Sequence, residues 1–137
     1  MAQQNYILNK DEIIALGTSL REIEQKLLKK SQETGITRMW FQGEEPYLDV
    51  FFELKENEIL WFQFTFRGKS VSWDNKKAQL QTGTTNELSC NDVSFYAASK
   101  TIENDIQPNS DFINLVKSIL QTRSDEPIFS KALELFK

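Results

Sequence analysis

The sequence predicts a single α+β domain over residues 1–137: an N-terminal helix, an antiparallel meander of four or five strands, and two C-terminal helices. Three observations predict it. Side-chain character alternates with period two through residues 38–74, turn-forming residues interrupt that alternation at spacings that agree on one apolar face, and helix-spaced apolar stripes flank it on both sides.

The strands are read first. Leu48, Val50, Phe52 and Leu54 alternate with Tyr47, Asp49, Phe51 and Glu53, and Leu60, Phe62, Phe64 and Phe66 alternate with Trp61, Gln63, Thr65 and Arg67. A slip of one residue would set Asp49 and Glu53 among the phenylalanines, so the connection at Lys55-Glu56-Asn57 must be odd, and three residues with Asn57 left-handed would fit. Gly43-Glu44-Glu45-Pro46 closes a hairpin with Phe41 beside Leu48 and Met39 beside Val50. Gly68-Lys69 suits a type II′ turn, placing Phe66 opposite Val71 and Phe64 opposite Trp73. The same register sets Trp40 across from Asp49 and Asp49 across from Gln63. Beyond a turn at Asp74-Asn75-Lys76-Lys77, residues 78–82 form a short strand, residues 83–91 a loop, and part of 93–102 a last strand.

The helices follow from spacing and caps. Asn9 with Glu12 makes a capping-box start, and Ile13, Leu16, Leu20, Ile23 and Leu27 recur at three-four spacing, predicting one amphipathic helix that ends by Gly35. Pro108 and a cap at Asn109 or Ser110 open a second helix striped with Phe112, Leu115, Val116, Ile119 and Leu120. A third, capped by Ser124 or Asp125 with Pro127 in its first turn, carries Phe129, Ala132, Leu133 and Phe136. Four or five strands at ~4.8 Å make a sheet roughly 20 Å wide, which accommodates about two helices on one face. The remaining helix must cover the mixed face, stack on its fellow helices or bury its stripe against another chain, and self-association into a homo-oligomer through a helix or an edge strand is one of these expected outcomes.

Composition narrows function mostly by exclusion. Net charge is -4 with both signs interspersed, which leaves no electrostatic footprint for nucleic acid. No stretch is long and apolar enough to span a bilayer, and the start Met-Ala-Gln-Gln-Asn lacks a basic region followed by an apolar run. Cys90 is the only cysteine, so no intramolecular disulfide forms, and a cytoplasmic protein is expected. Its polar, acid-flanked context makes it an inert thiol.

The chain has no histidine, which removes the usual general base, the commonest zinc ligand and every Ser-His or Cys-His pair. No phosphate loop, dinucleotide turn or EF-hand spacing occurs, so no catalytic residue, metal ligand or cofactor is assigned. Asp49 and Glu53 share a face, but four strand residues separate them by roughly 13 Å, beyond the span of about 5 to 9.5 Å that glycosidase pairs use. The missing constellation argues against an enzyme, and carboxylate-dependent catalysis is the third-ranked reading.

What remains is the face opposite the phenylalanines. It carries Trp40, Gln42, Tyr47, Asp49, Phe51, Glu53, Trp61, Gln63, Thr65, Arg67, Ser70 and Ser72. Large aromatics mixed with amides, a carboxylate and a guanidinium compose a contact surface, with Trp40, Gln42, Tyr47, Asp49, Trp61, Gln63 and Arg67 as the candidate binding residues. A structural reading competes: another segment covers the aromatics and the polar groups fringe it. The helix–meander–helix order resembles that of small secretion-chaperone-like domains, a likeness of architecture that no motif in the chain carries, and either the mixed face or the surplus helix could dock a partner. The first expectation is therefore a non-catalytic protein-binding module of adaptor or chaperone type, anchored by Trp40, Tyr47, Trp61 and Arg67. The alternative is a small-ligand-binding domain using Trp40, Asp49, Gln63 and Arg67.

Overall fold

The computed structural model describes residues 8–23, 36–85 and 102–136. Helix α1 (Lys10–Ser19) precedes strands β1 (Arg21–Glu22), β2 (Ile36–Gln42), β3 (Asp49–Lys55), β4 (Glu58–Phe66), β5 (Lys69–Asp74), β6 (Gln79–Thr85) and β7 (Ile102–Asn104). Helices α2 (Ser110–Gln121) and α3 (Pro127–Leu133) follow, and a 3-10 turn (Glu134–Phe136) closes the described chain. Neighbours in sequence are neighbours in the sheet, all antiparallel, in the order β1 to β7. The α+β class and the order helix, meander, helices are as expected. The sheet is larger than four or five strands, because alternation continues through Gly83 to Thr85 and short strands line both edges.

Alternation holds through β2–β5, but each hairpin differs from its expected register by two residues. At β2–β3, Phe41 lies opposite Val50 and Met39 opposite Phe52, with Gln42 and Asp49 as the last pair before the turn. At β3–β4 the tight turn is Glu56-Asn57, both with positive φ (54° and 69°), and a bulge at Glu53/Leu54 supplies the odd residue. Leu54 therefore faces Ile59, which is buried in place of the expected Leu60. At β4–β5 the turn residues are Arg67-Gly68, with φ of 51° and 81°, not Gly68-Lys69. Two successive positive φ values match the right-handed twist of the strands they join, and Asn and Gly tolerate them best. Phe64 consequently meets Val71, and Phe62 meets Trp73.

One apolar core fills the face lined by Phe41, Leu48, Val50, Phe52, Phe62, Phe64, Phe66 and Val71. The expected α2 stripe, Phe112, Leu115, Val116, Ile119 and Leu120, is wholly buried against it. From α3 come Ile128, Phe129 and Ala132, with Leu133 and Phe136 partly covered. Phe129 packs 4.8 Å from Phe41 and 6.2 Å from Phe52, while Phe136 meets Phe62 edge-on at 6.0 Å. Asn109 caps α2 through Phe112 N at 3.1 Å. Helix α3 instead starts at Glu126 with no side-chain cap and Pro127 in its first turn, so neither Ser124 nor Asp125 has the expected role.

Helix α1 has the expected capping box, with Asn9 Oδ1 accepting from Glu12 N at 2.8 Å and Asn9 N donating to Glu12 Oε1 at 3.0 Å. It ends at Ser19, well before Gly35: Leu20 is already extended, and Arg21 and Glu22 pair with Gln42 and Phe41. Gly17, Thr18 and Ser19 are weak helix formers, and Ser19 Oγ turns back onto Leu16 O at 2.8 Å. The expected continuation through Leu27 lies outside the described residues. Leu8, Ile13 and Leu16 pack against the common core, and α1 leans on α2 rather than on the sheet. Because α1 finds cover within the chain, the crowding argument for self-association loses its premise.

Arg123 ties that arrangement together. Its Nη1 donates to Gly17 O at 2.9 Å and Leu20 O at 2.7 Å, carbonyls at the end of α1, the first of which also accepts the Leu20 N–H at 3.2 Å. Replacing Arg123 with methionine keeps most of the aliphatic stem and removes both donors, so stability is expected to fall by about 1–3 kcal/mol. Urea unfolding checks this: the midpoint should drop with the slope unchanged.

Candidate functional site

Antiparallel pairing lays the reverse face out in cross-strand rows. One row runs Gln42, Asp49, Thr65, Ser70 and Gly83 across β2 to β6. The next runs Trp40, Phe51, Gln63, Ser72 and Gln81, and a third Arg38, Glu53, Trp61, Asp74 and Gln79. Period two puts all of them opposite the phenylalanine core.

Aromatic groups gather on β2, β3 and β4. Trp40 stacks on Phe51 with centroids 5.6 Å apart and planes 12° from parallel, and Phe51 meets Trp61 at 6.2 Å. Offset ring pairs of this kind contribute roughly 0.5–1.5 kcal/mol beyond the area they bury. Phe51 is only 4% exposed, while Trp40 and Trp61 remain half-buried. The three rings form a ridge whose middle is covered and whose ends are reachable.

Polar groups fill the adjacent ground. Asp49 is 4% exposed, Gln63 6%, and Thr65 and Ser70 1% each. The indole Nε1 of Trp40 donates to Asp49 Oδ1 at 3.2 Å, a diagonal contact, since Trp40 is paired with Phe51 and not with Asp49. Asp49 lies opposite Thr65, and Gln63 opposite Phe51, which corrects the expected Asp49–Gln63 pair. Thr65 Oγ1 donates to Tyr47 O at 3.4 Å. Ser72 Oγ donates weakly to Gln81 O at 3.5 Å. Gln81 Nε2 donates to Thr82 O at 3.0 Å and Asp105 O at 3.1 Å. Ser70 Oγ is buried and makes no hydrogen bond, beside a Gly83 that offers no side chain.

An ion pair crosses this face, and Arg21, opposite Gln42, stands exposed at its edge. Arg38 Nε donates to Glu53 Oε2 at 2.9 Å on the neighbouring strand. Arg67 has left the face for the β4–β5 turn, where Nε and Nη2 grip both oxygens of Glu45 at 2.6 and 3.2 Å and the guanidinium lies 4.7 Å over the Phe66 ring. Hydrogen bonding to Glu45 raises the Arg67 pKa further above its ordinary value. Tyr47 likewise belongs to a turn, with φ of 66°.

The structure therefore brings together Trp40, Gln42, Asp49, Trp61 and Gln63 of the seven candidate residues, keeps Tyr47 at their edge in a turn whose carbonyl accepts from Thr65, and places Arg67 in the β4–β5 turn. It adds Arg38, Ser70, Gln81 and Gly83. The last two carried a readable signal, since Gln79, Gln81 and Gly83 alternate with Leu80 and Thr82. Cys90 lies outside the described residues. Among the described residues, no group of three or more acidic or cysteine side chains is placed to hold a metal ion, and no helix is long and apolar enough to cross a membrane.

Compared with family models, curated proteins and solved structures, the chain matches none. The architectural likeness to secretion-chaperone-like domains accordingly carries no functional argument, and the reading below rests on the face itself.

Proposed function

We propose that this protein is a non-catalytic, cytoplasmic binding module that holds a small molecule against its polar-aromatic face. The observation that carries this reading is the burial of Asp49, Gln63, Thr65 and Ser70 beside two half-buried tryptophans. Protein-docking surfaces place aromatic and arginine anchors at their centre and polar groups at the rim. Here the polar groups occupy the protected ground, and Arg67 stands in a turn, held by Glu45. A few convergent polar groups walled by aromatics are the ordinary composition of a small-ligand site. The half-exposed Trp40 and Trp61 support protein docking as the second reading, since both rings offer anchoring area to a partner chain.

Native mass spectrometry of protein purified without additives tests the choice. A bound small molecule is expected on the unaltered chain, lost when Trp61 is replaced by alanine and kept when Arg67 is. Absence of any small molecule, together with Trp61-dependent capture of a protein from extract, would favour the docking reading.

A further inference from the structure

We infer that the centre of this face, at Gln63 and Ser70, recognises an uncharged, hydroxyl-rich molecule of sugar-like chemistry, a specification that rests on the small-molecule reading above. The first argument is unmet hydrogen-bonding capacity. A serine hydroxyl both donates and accepts, yet Ser70 Oγ is buried without a partner, and the neighbouring carboxamide of Gln63, on a residue 6% exposed, carries two donors and an acceptor. Gln63 pairs with Ser72 and Thr65 with Ser70, so Gln63 and Ser70 are diagonal neighbours with their Cβ atoms about 7 Å apart. Leaving the Ser70 hydroxyl unpaired costs roughly 1–3 kcal/mol, a cost that an arriving hydroxyl relieves.

The second argument is charge. Arg38 is held by Glu53 and Arg67 by Glu45, and Arg21 on β1, opposite Gln42, stands three strands away from Gln63 on β4, so among the described residues an anion at this centre would meet no uncommitted guanidinium. Asp49 already accepts the Trp40 N–H, so a cation would compete with an existing bond for a buried carboxylate. Recognition falls to neutral donors and acceptors. The third is shape: Trp61 leans on Phe51 beside Gln63 and leaves part of its indole uncovered, a platform for the C–H-lined face of a ring whose hydroxyls point along its rim.

The test titrates the full chain with glucose, maltose and N-acetylglucosamine, following tryptophan fluorescence and saturation-transfer NMR, with inorganic phosphate as the charged comparison. At least one sugar is expected to give a saturable response, weakened tenfold or more by Gln63→Leu and by Trp61→Leu and unchanged by Arg67→Ala, while phosphate gives none. Should Gln63→Leu fail to fold by circular dichroism, Gln63→Glu keeps the side-chain size, adds charge and is expected to weaken the sugars likewise. No saturable response to any sugar, or a response indifferent to both Gln63 variants, overturns the proposal. If mass spectrometry then shows a charged molecule lost in Trp61→Ala, the small-molecule reading survives without the neutral specification; if face variants alter nothing that binds, both fail.

Discussion

Replacing Phe52 with alanine is expected to lower the unfolding free energy by about 4 kcal/mol, a large share of the roughly 5–15 kcal/mol available to a domain of this size. Phe52 is fully buried in β3 and touches three other rings: Phe41 edge-on at 6.2 Å, Phe62 at 5.3 Å and Phe129 at 6.2 Å. Truncation removes the apolar surface it hides and leaves a cavity between sheet and α3 that the surrounding strands cannot close, because their hydrogen-bond ladders hold the backbone. The informative comparison is Trp61→Ala. Trp61 is larger, yet it stands on the opposite face, half-buried, with its tilted neighbour Phe51 retained. Its loss should cost about 1 kcal/mol. Urea titrations of both variants check the difference. Equal losses would mean that the two faces are equally core-like and that Trp61 is not available for binding.

That comparison turns on the part of the fold that was most legible in the sequence. Alternation says which residues share a face, and it does so however the strands are shifted by an even count. All three hairpins depart from the expected register by two residues, and in each the apolar side chains still meet apolar side chains. Period two determines register only to within even steps; the remaining choice belongs to the turn. At Arg67-Gly68 the backbone takes two positive φ values in succession, which moves the turn back by one residue and carries Arg67 off the strand. At Glu56-Asn57 a two-residue turn and a bulge together replace a three-residue loop, with the same parity. The candidate site inherited this pattern: residues assigned from mid-strand positions stayed together, while Tyr47 and Arg67, assigned from strand ends, were claimed by turns. The end of α1 was hidden for a different reason. Leu20 and Ile23 satisfy helical spacing, but the strand pairing that follows Leu20 and the grip of Arg123 on the Gly17 and Leu20 carbonyls are long-range contacts that spacing does not report.

Gly17→Val is expected to destabilise the protein by about 3 kcal/mol, the reverse of what helix propensity suggests, since glycine in a helix interior is ordinarily worse than other residues by about 0.5–1 kcal/mol. Gly17 is the one buried residue of α1. A Cβ built there overlaps Thr122 Oγ1 and comes within 3.1 Å of Thr122 Cβ and 3.0 Å of Ile119 O. Two of these atoms cannot move cheaply: Ile119 O is helical backbone, and Thr122 Oγ1 is pinned by its own 2.7 Å hydrogen bond to that carbonyl. Thr122 is the C-cap of α2, so displacing it loosens the helix end beside Arg123, whose bonds to Gly17 O and Leu20 O position α1. The glycine therefore acts as a contact surface, allowing α1 to lie closely against α2. Thr122→Ala removes the overlapping oxygen while leaving the neighbouring Cβ and carbonyl, so it should recover part of the loss in the Gly17→Val background and cost little alone. A double-mutant cycle on urea midpoints measures this coupling. Strict additivity would show that α1 and α2 do not touch at Gly17, and that the packing which gives the first helix its cover within the chain is wrong.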